Sequence, residues 1–252
     1  MPDENPIRAF YEQHPRMVSS PFGGVDSWNR ELFLSVLNSL NITLTGKRVL
    51  DIGCGRGLVE EVVRDAGGAY LGMDFVCSRK GFPFLLGDAH HLPFLENRFD
   101  VVFCIDAFEH FPNPQRTAHE IYRVLTPGGL FFLSAPNYGN VAGLVKKYCE
   151  KSGAYAKDSW APFGQWQPQE LEQALTQSGV RRLFSRAGFS PIRRMGYGVE
   201  AGLGIFPWMD HPRMPDRIRF RLQRLFRACG PLIVKLWPGA SLHLFWRMDK
   251  PA

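Results

Sequence analysis

Cysteine is scarce and unorganised in this chain: five are scattered over 252 residues, at 54, 77, 104, 149 and 229, with no Cys-x-x-Cys pair. An odd, dispersed set excludes a disulfide scaffold and a zinc ribbon, and it sets the expectation of reduced thiols in a cytoplasmic protein. No apolar run is long and uncharged enough to span a bilayer, and no secretory leader is recognisable. The chain is therefore expected neither to cross a membrane nor to be exported by that route. Repeats and low-complexity tracts are also lacking, and with 45% hydrophobic and 21% charged residues the chain can bury the core of one domain.

What the chain has in plenty is apolar, strand-like segments that end in glycine or an acid. Val49-Leu50-Asp51-Ile52-Gly53-Cys54-Gly55-Arg56-Gly57 reads as a strand buried on both faces, a glycine turn, and then a helix over about 58–66 that turns its first N–H groups toward a ligand. A dinucleotide turn would be Gly-x-Gly-x-x-Gly. Here the sixth position is Leu58, and Asp51 puts a carboxylate where a pyrophosphate would lie. The acid points to a ligand that carries positive charge. A second strand, 69–74, ends in Asp74 about twenty residues on, the length of one strand-helix-strand unit, where a carboxylate would hold ribose hydroxyls.

Three more segments follow in order. Phe84-Leu85-Leu86-Gly87-Asp88-Ala89 is a short third strand ending in an acid, trailed by His90-His91-Leu92-Pro93-Phe94. Phe99-Asp100-Val101-Val102-Phe103-Cys104-Ile105-Asp106 is a fourth strand opening at the same carboxyl edge, with Glu109-His110 just beyond. A helix striped by Ala118, Ile121, Tyr122 and Leu125 leads through Pro127-Gly128-Gly129 into a fifth strand.

Taken together, residues 49–137 resemble the class I S-adenosylmethionine-dependent methyltransferases. The resemblance implies a three-layer, Rossmann-like α/β fold: a seven-stranded, mostly parallel sheet with helices on both faces. It implies S-adenosyl-L-methionine as cofactor and S-adenosyl-L-homocysteine as product, held by Asp51, Gly53, Cys54, Gly55, Gly57, Asp74 and Phe75. Asp88 would accept from the adenine amino group, the Ala89 backbone would touch the ring, and Ile105 and Asp106 would lie against the methionine moiety. Glu109 and His110 would stand near the methyl acceptor. No metal is expected, since His90 and His91 as neighbours on an extended chain should point opposite ways and no further ligand stands at metal spacing.

Methyl transfer from a sulfonium is an in-line displacement, so alignment in a water-poor pocket does most of the work. A base is needed only where the acceptor must lose a proton; His110 is the candidate, backed by Glu109 and His14. An Asn/Asp-Pro-Pro-aromatic segment after the fourth strand and a Pro-Cys pair are both missing, which disfavours chemistry on nucleic-acid bases. The order of elements and the aromatic insertion look, more loosely, like the quinone-biosynthesis O- and C-methyltransferases, implying a small, lipophilic or aromatic acceptor. Two rivals stand beside that reading: a catalytically silent S-adenosylmethionine-binding regulator, and an RNA-directed methyltransferase.

Around the core at 45–136 the chain carries attachments. Residues 1–44 form an N-terminal helical cap in which Tyr11 and His14 are substrate candidates, with a helix from Trp28 to Leu40. Residues 137–167 are a lid insertion offering Asn137, Tyr138, Trp160 and Trp166 to the substrate. A helix opening near Trp166 and a sixth strand near 191–196 make up 168–199, a basic insertion fills 200–240, and a seventh strand near 241–248 begins the last segment, 241–252. From residue 181 on there are 14 Lys and Arg against four acids, net +10, leaving 16 against 20 before it, net −4. Within the basic insertion, 215–227 reads as a helix with Ile218, Leu222, Leu225 and Phe226 on one face and arginines over most of the rest, suited either to packing on the sheet or to an anionic membrane surface.

Overall fold

The computed structural model describes residues 30–76, 81–152, 171–211 and 213–252. Tyr11, His14, Trp28, Trp160 and Trp166 lie outside them. The centre is one seven-stranded sheet: β1 (Arg48–Ile52), β2 (Ala69–Asp74), β3 (Phe84–Leu86), β4 (Phe99–Ile105), β5 (Leu125–Pro136), β6 (Ile192–Gly196) and β7 (His243–Asp249), in the order β3-β2-β1-β4-β5-β7-β6. β3 to β5 across the sheet are parallel, and β7 runs antiparallel to both neighbours.

The period of two along each strand places the core on both faces. Leu50, Val102, Phe131 and Trp246 point to one side, and Val49, Val101, Phe132 and Phe245 to the other. On the second side α1 (Arg30–Ser39) buries Phe33, Val36 and Leu37. α2 (Glu60–Asp65) follows the glycine turn, two residues later than the sequence suggests. On the first side α3 (Pro114–Val124) begins with proline in its first turn and the Asn113 side chain accepting from the Arg116 amide at 3.0 Å. Its buried face is Thr117, Ala118, Ile121 and Val124. Leu125 already belongs to β5.

Two expectations need correction. No helix runs through 171–176: these residues form an extended strap, because their amides and carbonyls bond across to the chain beyond β4 and β5 rather than to their own i−4 partners. Gln173 N–H donates to Glu109 O (2.8 Å), and Leu175 O accepts from Tyr138 N–H (3.0 Å). Helix α5 (Gln177–Arg186) starts only after Thr176, whose hydroxyl accepts from Gly179 N–H. The second correction concerns the basic helix, which is longer than the sequence suggests and turned about its axis. Between α4 (Val141–Ser152) and α5 lies the strap; after β6 come the short α6 (Ala201–Ile205) and then α7 (Asp216–Leu236). In α7, Leu222 and Phe226 face inward as expected, but Ile218 and Leu225 are 49% and 57% exposed. No helix among the described residues is long and apolar enough to cross a membrane.

Candidate functional site

The carboxyl ends of β1, β2 and β4 meet at the glycine turn. Gly53, Gly55 and Gly57 all have left-handed φ, at 69°, 52° and 69°. A Cβ on Gly53 would stand 2.5 Å from that of Ala107, so turn and β4 tail approach as only glycine permits. Gly53 and Cys54 N–H both donate to Met73 O, and Gly55 N–H donates to Asp74 Oδ2 at 2.9 Å. Asp74 is thus locked against the turn, its other oxygen accepting from Val76 N–H at 3.2 Å. Burial raises its pKa, and the backbone donors oppose that rise. Phe75 beside it is half-buried.

Asp51 is 3% exposed and accepts from the Tyr70 hydroxyl at 2.8 Å. Burial pushes its carboxyl up to about 7, against the pull of that hydroxyl. Cys54 is buried too, and burial drives its thiol far above the ordinary range, which makes it a packing residue and not a nucleophile. Asp88 is half-exposed. Burial works against its charge, but the His90 amide (2.9 Å) and His90 Nδ1 (2.6 Å) hold it below the usual carboxylate range. The expectation that His90 and His91 point apart fails, because the chain turns here: His91 Nδ1 also comes within 3.6 Å of Asp88. Among the described residues no group of three or more His, Cys, Asp or Glu side chains is placed to hold a metal ion. Ala89 is buried, and Ile105 lines a cleft with Phe33, Leu58 and Val62.

Beyond β4 the chain turns through Asp106, at φ 46°, its N–H donating to Ser134 O and its Oδ1 accepting from Ser134 Oγ at 2.5 Å. Burial raises Asp106 to about 6, and the His243 charge opposes. Glu109 is 2% exposed, and its Oε2 has no hydrogen-bond partner. Burial, then the Asp106 charge, pushes its carboxyl well above the ordinary range. His110 Nδ1 donates to Leu171 O of the strap at 2.6 Å, a contact with a carbonyl that places the proton on Nδ1 and the ring's lone pair on Nε2, 3.8 Å from Glu109 Oε1. Burial lowers the His110 pKa.

Several members of this cluster carry no signal in the sequence. Lys146 of α4 is 2% exposed, donates to Glu172 Oε1 of the strap at 2.6 Å, and contacts the Tyr138 hydroxyl, which itself donates to Glu172. His243 of β7 pairs with Glu200 at 3.2 Å; burial works against its charge, but the Glu200 carboxylate raises its pKa. Tyr138 thus joins the expected lid to the strap. Asn137, expected to face a substrate, donates its side-chain amide to the Gly239 and Ser241 carbonyls, which ties β5 to the approach to β7, while its Oδ1 accepts from Gly139 N–H. Polar spacing on α4 or β7 marks none of Lys146, Glu172, Glu200 and His243, since their partners lie 26 and 43 residues away.

A family model described as a methyltransferase domain matches residues 50–133. The ubiquinone biosynthesis O-methyltransferase of Pseudomonas entomophila (strain L48) is 28% identical over 145 residues, 47% of this chain and 61% of that protein. The phthiotriol/phenolphthiotriol dimycocerosates methyltransferase of Mycobacterium leprae (strain TN) is 34% identical over 132 residues, 47% of this chain and 48% of that protein. The chain thus spans 61% and 57% of the first two relatives it matches. In structure, a chain of the complex between the Haloferax volcanii Trm112 methyltransferase activator and a methyltransferase superposes with a TM-score of 0.65 at 18% identity, 98% of each chain being covered.

Proposed function

We propose that residues 50–133, which match a methyltransferase domain, form a domain of the class I, S-adenosylmethionine-dependent kind, and that the protein methylates an oxygen or carbon of a small lipophilic or aromatic acceptor. The observation that carries the reading is the convergence of four buried or half-buried acids, Asp51, Asp74, Asp106 and Glu109, on one left-handed glycine turn. Lys146 and His243, whose charges act on Glu109 and Asp106, are engaged by Glu172 and Glu200. Such a pocket suits a sulfonium and an ammonium, and it repels a pyrophosphate. The relatives named for ubiquinone biosynthesis and for phenolphthiotriol dimycocerosates favour an acceptor of the quinone, phenol or lipid class.

In this reading the amides of the glycine turn and the carboxylates of Asp51, Asp74 and Asp106 hold the cofactor, with Gly53, Cys54, Gly55, Gly57, Phe75 and Ile105 shaping its bed, and Asp88 and Ala89 meeting the adenine. Bound there, S-adenosyl-L-methionine supplies an electrophilic methyl group. The chain's own residues align the acceptor and keep water out. The Leu171 carbonyl fixes His110 as the Nδ1–H tautomer, leaving Nε2 to take a hydroxyl proton. Burial lowers its pKa from the ordinary imidazole value, which favours the neutral, basic form. Glu109, with one carboxyl oxygen unbonded, offers a contact to the acceptor's polar group.

Calorimetric titration with S-adenosyl-L-homocysteine and, separately, NAD tests the cofactor assignment: micromolar uptake of the first and none of the second is expected. Tight NAD binding with indifference to the homocysteine product overturns it. Product formation with catechols, hydroquinones and long-chain phenols then tests the acceptor class. His110→Gln should lower turnover about a hundredfold or more where a hydroxyl is the acceptor.

A further inference from the structure

Helix α7 leaves an organised face to solvent. Ile218, Leu225, Leu232 and Leu236 are 49%, 57%, 61% and 77% exposed, and at about 100° per residue they fall within about 40° of one another as a single ridge along the helix. Arg217, Arg221, Arg224 and Lys235 flank that ridge on its solvent side, all exposed. Over its length the helix carries six cations against one acid, Asp216, and that acid pairs with the partly buried Arg219. Trp237, 48% exposed, follows the last turn. The opposite face is fixed to the fold: Gly230 packs so closely that a Cβ there would stand 2.1 Å from Gly198 O, and Val234 is buried. From Gly198 the chain runs directly to Glu200, which holds His243 at the edge of the acid cluster.

We propose that this outward face of α7 docks on the surface of an anionic lipid bilayer, the leucine ridge entering the acyl boundary while the arginine row meets the headgroups. The charge pattern selects that occupant. A second copy of the chain seated on the ridge would bring two uncompensated arginine rows together, and a nucleic acid would leave four apolar side chains in water. The methyl-transfer reading is not needed for the docking.

Co-sedimentation with vesicles of phosphatidylglycerol and phosphatidylcholine, against phosphatidylcholine alone, tests the proposal. Binding to the anionic vesicles only is expected. The triple variant Arg217→Gln/Arg221→Gln/Arg224→Gln should bind on the order of a hundredfold more weakly, at about fivefold per charge. Leu225→Ser/Leu232→Ser should lose at least about tenfold. Both variants change exposed side chains and should keep the parent's melting temperature and affinity for S-adenosyl-L-homocysteine, which separates failure here from failure of the cofactor assignment. Equal binding to both vesicle types, no binding to either, salt-sensitive binding to RNA in place of vesicles, or a dimer that light scattering shows to dissociate in the leucine variant would each overturn it.

Discussion

The two ends of the parallel sheet treat the same residue type in opposite ways. Where β1 and β4 begin, Asp100 accepts from the Arg48 amide, Nε and terminal nitrogen at 2.8, 3.0 and 2.9 Å, and the Arg48 hydrogen bonds hold its carboxyl down at about 2. Where the same two strands end, burial lifts Asp51 to about 7 and Asp106 to about 6, and it raises Glu109 as well. The scaffold acid has a guanidinium of its own. At the other end the Tyr70 and Ser134 hydroxyls and the Gly55 and Val76 amides meet Asp51, Asp106 and Asp74, and the charges of His243 and Lys146 act on Asp106 and Glu109. An edge where buried acids outnumber such cations is costly when empty and binds a cationic ligand well, because the ligand brings the missing charge.

That contrast can be broken most forcefully at Lys146, the buried cation that tempers the acid-rich end. Lys146→Met leaves Glu172 buried without its ion partner and adds to the charge around Glu109, and it should cost about 3–5 kcal/mol in urea unfolding. A loss below about 1 kcal/mol would mean that Lys146 is not the counter-ion. At Asp51 the effect should have the opposite sign. Its folded pKa of about 7 lies above the unfolded value of 3.8. Between about pH 4 and 7 the ligand-free protein therefore keeps a proton that the unfolded chain has released, and stability falls as pH rises through that window, by up to about 4 kcal/mol. Asp51→Asn can still accept from Tyr70; it should match the parent at pH 4, exceed it in stability at pH 8, and bind S-adenosyl-L-homocysteine more weakly. Parallel pH–stability curves for the two proteins would show that Asp51 carries no such strain.

The glycine turn and its acids were largely legible in the sequence and the strap and lysine around Glu109 were not, and chain distance is the reason. Val49 to Gly57 announces strand, turn and acid within nine residues, and Asp74 closes one unit later. The strap at 171–176 looked helical because its own residues carry no strand pattern; what extends it is Glu109 and Tyr138, more than thirty residues away in sequence. His110 was visible as a candidate, but the carbonyl that sets its tautomer, Leu171 O, lies 61 residues on. On α7 the period of 3.6 was clear while its phase was not: apolar residues occupy two faces, and only the close approach of Gly230 to Gly198 decides that Leu222, Phe226 and Val234 turn inward and Ile218 and Leu225 outward.

At Asp74 the acid-rich end can be probed by affinity alone. Asp74→Ala removes a charge-assisted acceptor worth roughly 1.5–3 kcal/mol, so S-adenosyl-L-homocysteine should bind about ten- to a hundredfold more weakly by calorimetry. Because Gly55 N–H also loses its partner, Asp74→Asn, which keeps one acceptor oxygen for that amide, separates the two contributions. Equal losses in both variants assign the effect to the charge, and an unchanged Kd in both removes Asp74 from the site.

The smallest effect belongs to the opposite end. Although Asp100 is held near 2, its pair with Arg48 is open to solvent, the Arg48 side chain being 49% exposed, and screening reduces what the shift is worth to no more than about 1 kcal/mol. The sign is the ordinary one for a depressed carboxylate: the stabilisation is present above the unfolded value near 4 and disappears as pH falls through about 2. Asp100→Asn should thus lower stability slightly at pH 7, by less in 0.5 M salt, and not at all near pH 2, while leaving S-adenosyl-L-homocysteine affinity untouched, since Asp100 stands at the far end of the strands. Were this variant to weaken ligand binding as much as Asp74→Ala does, the two ends of the sheet would be coupled, and the difference between a paired scaffold acid and a cation-poor site would lose its meaning.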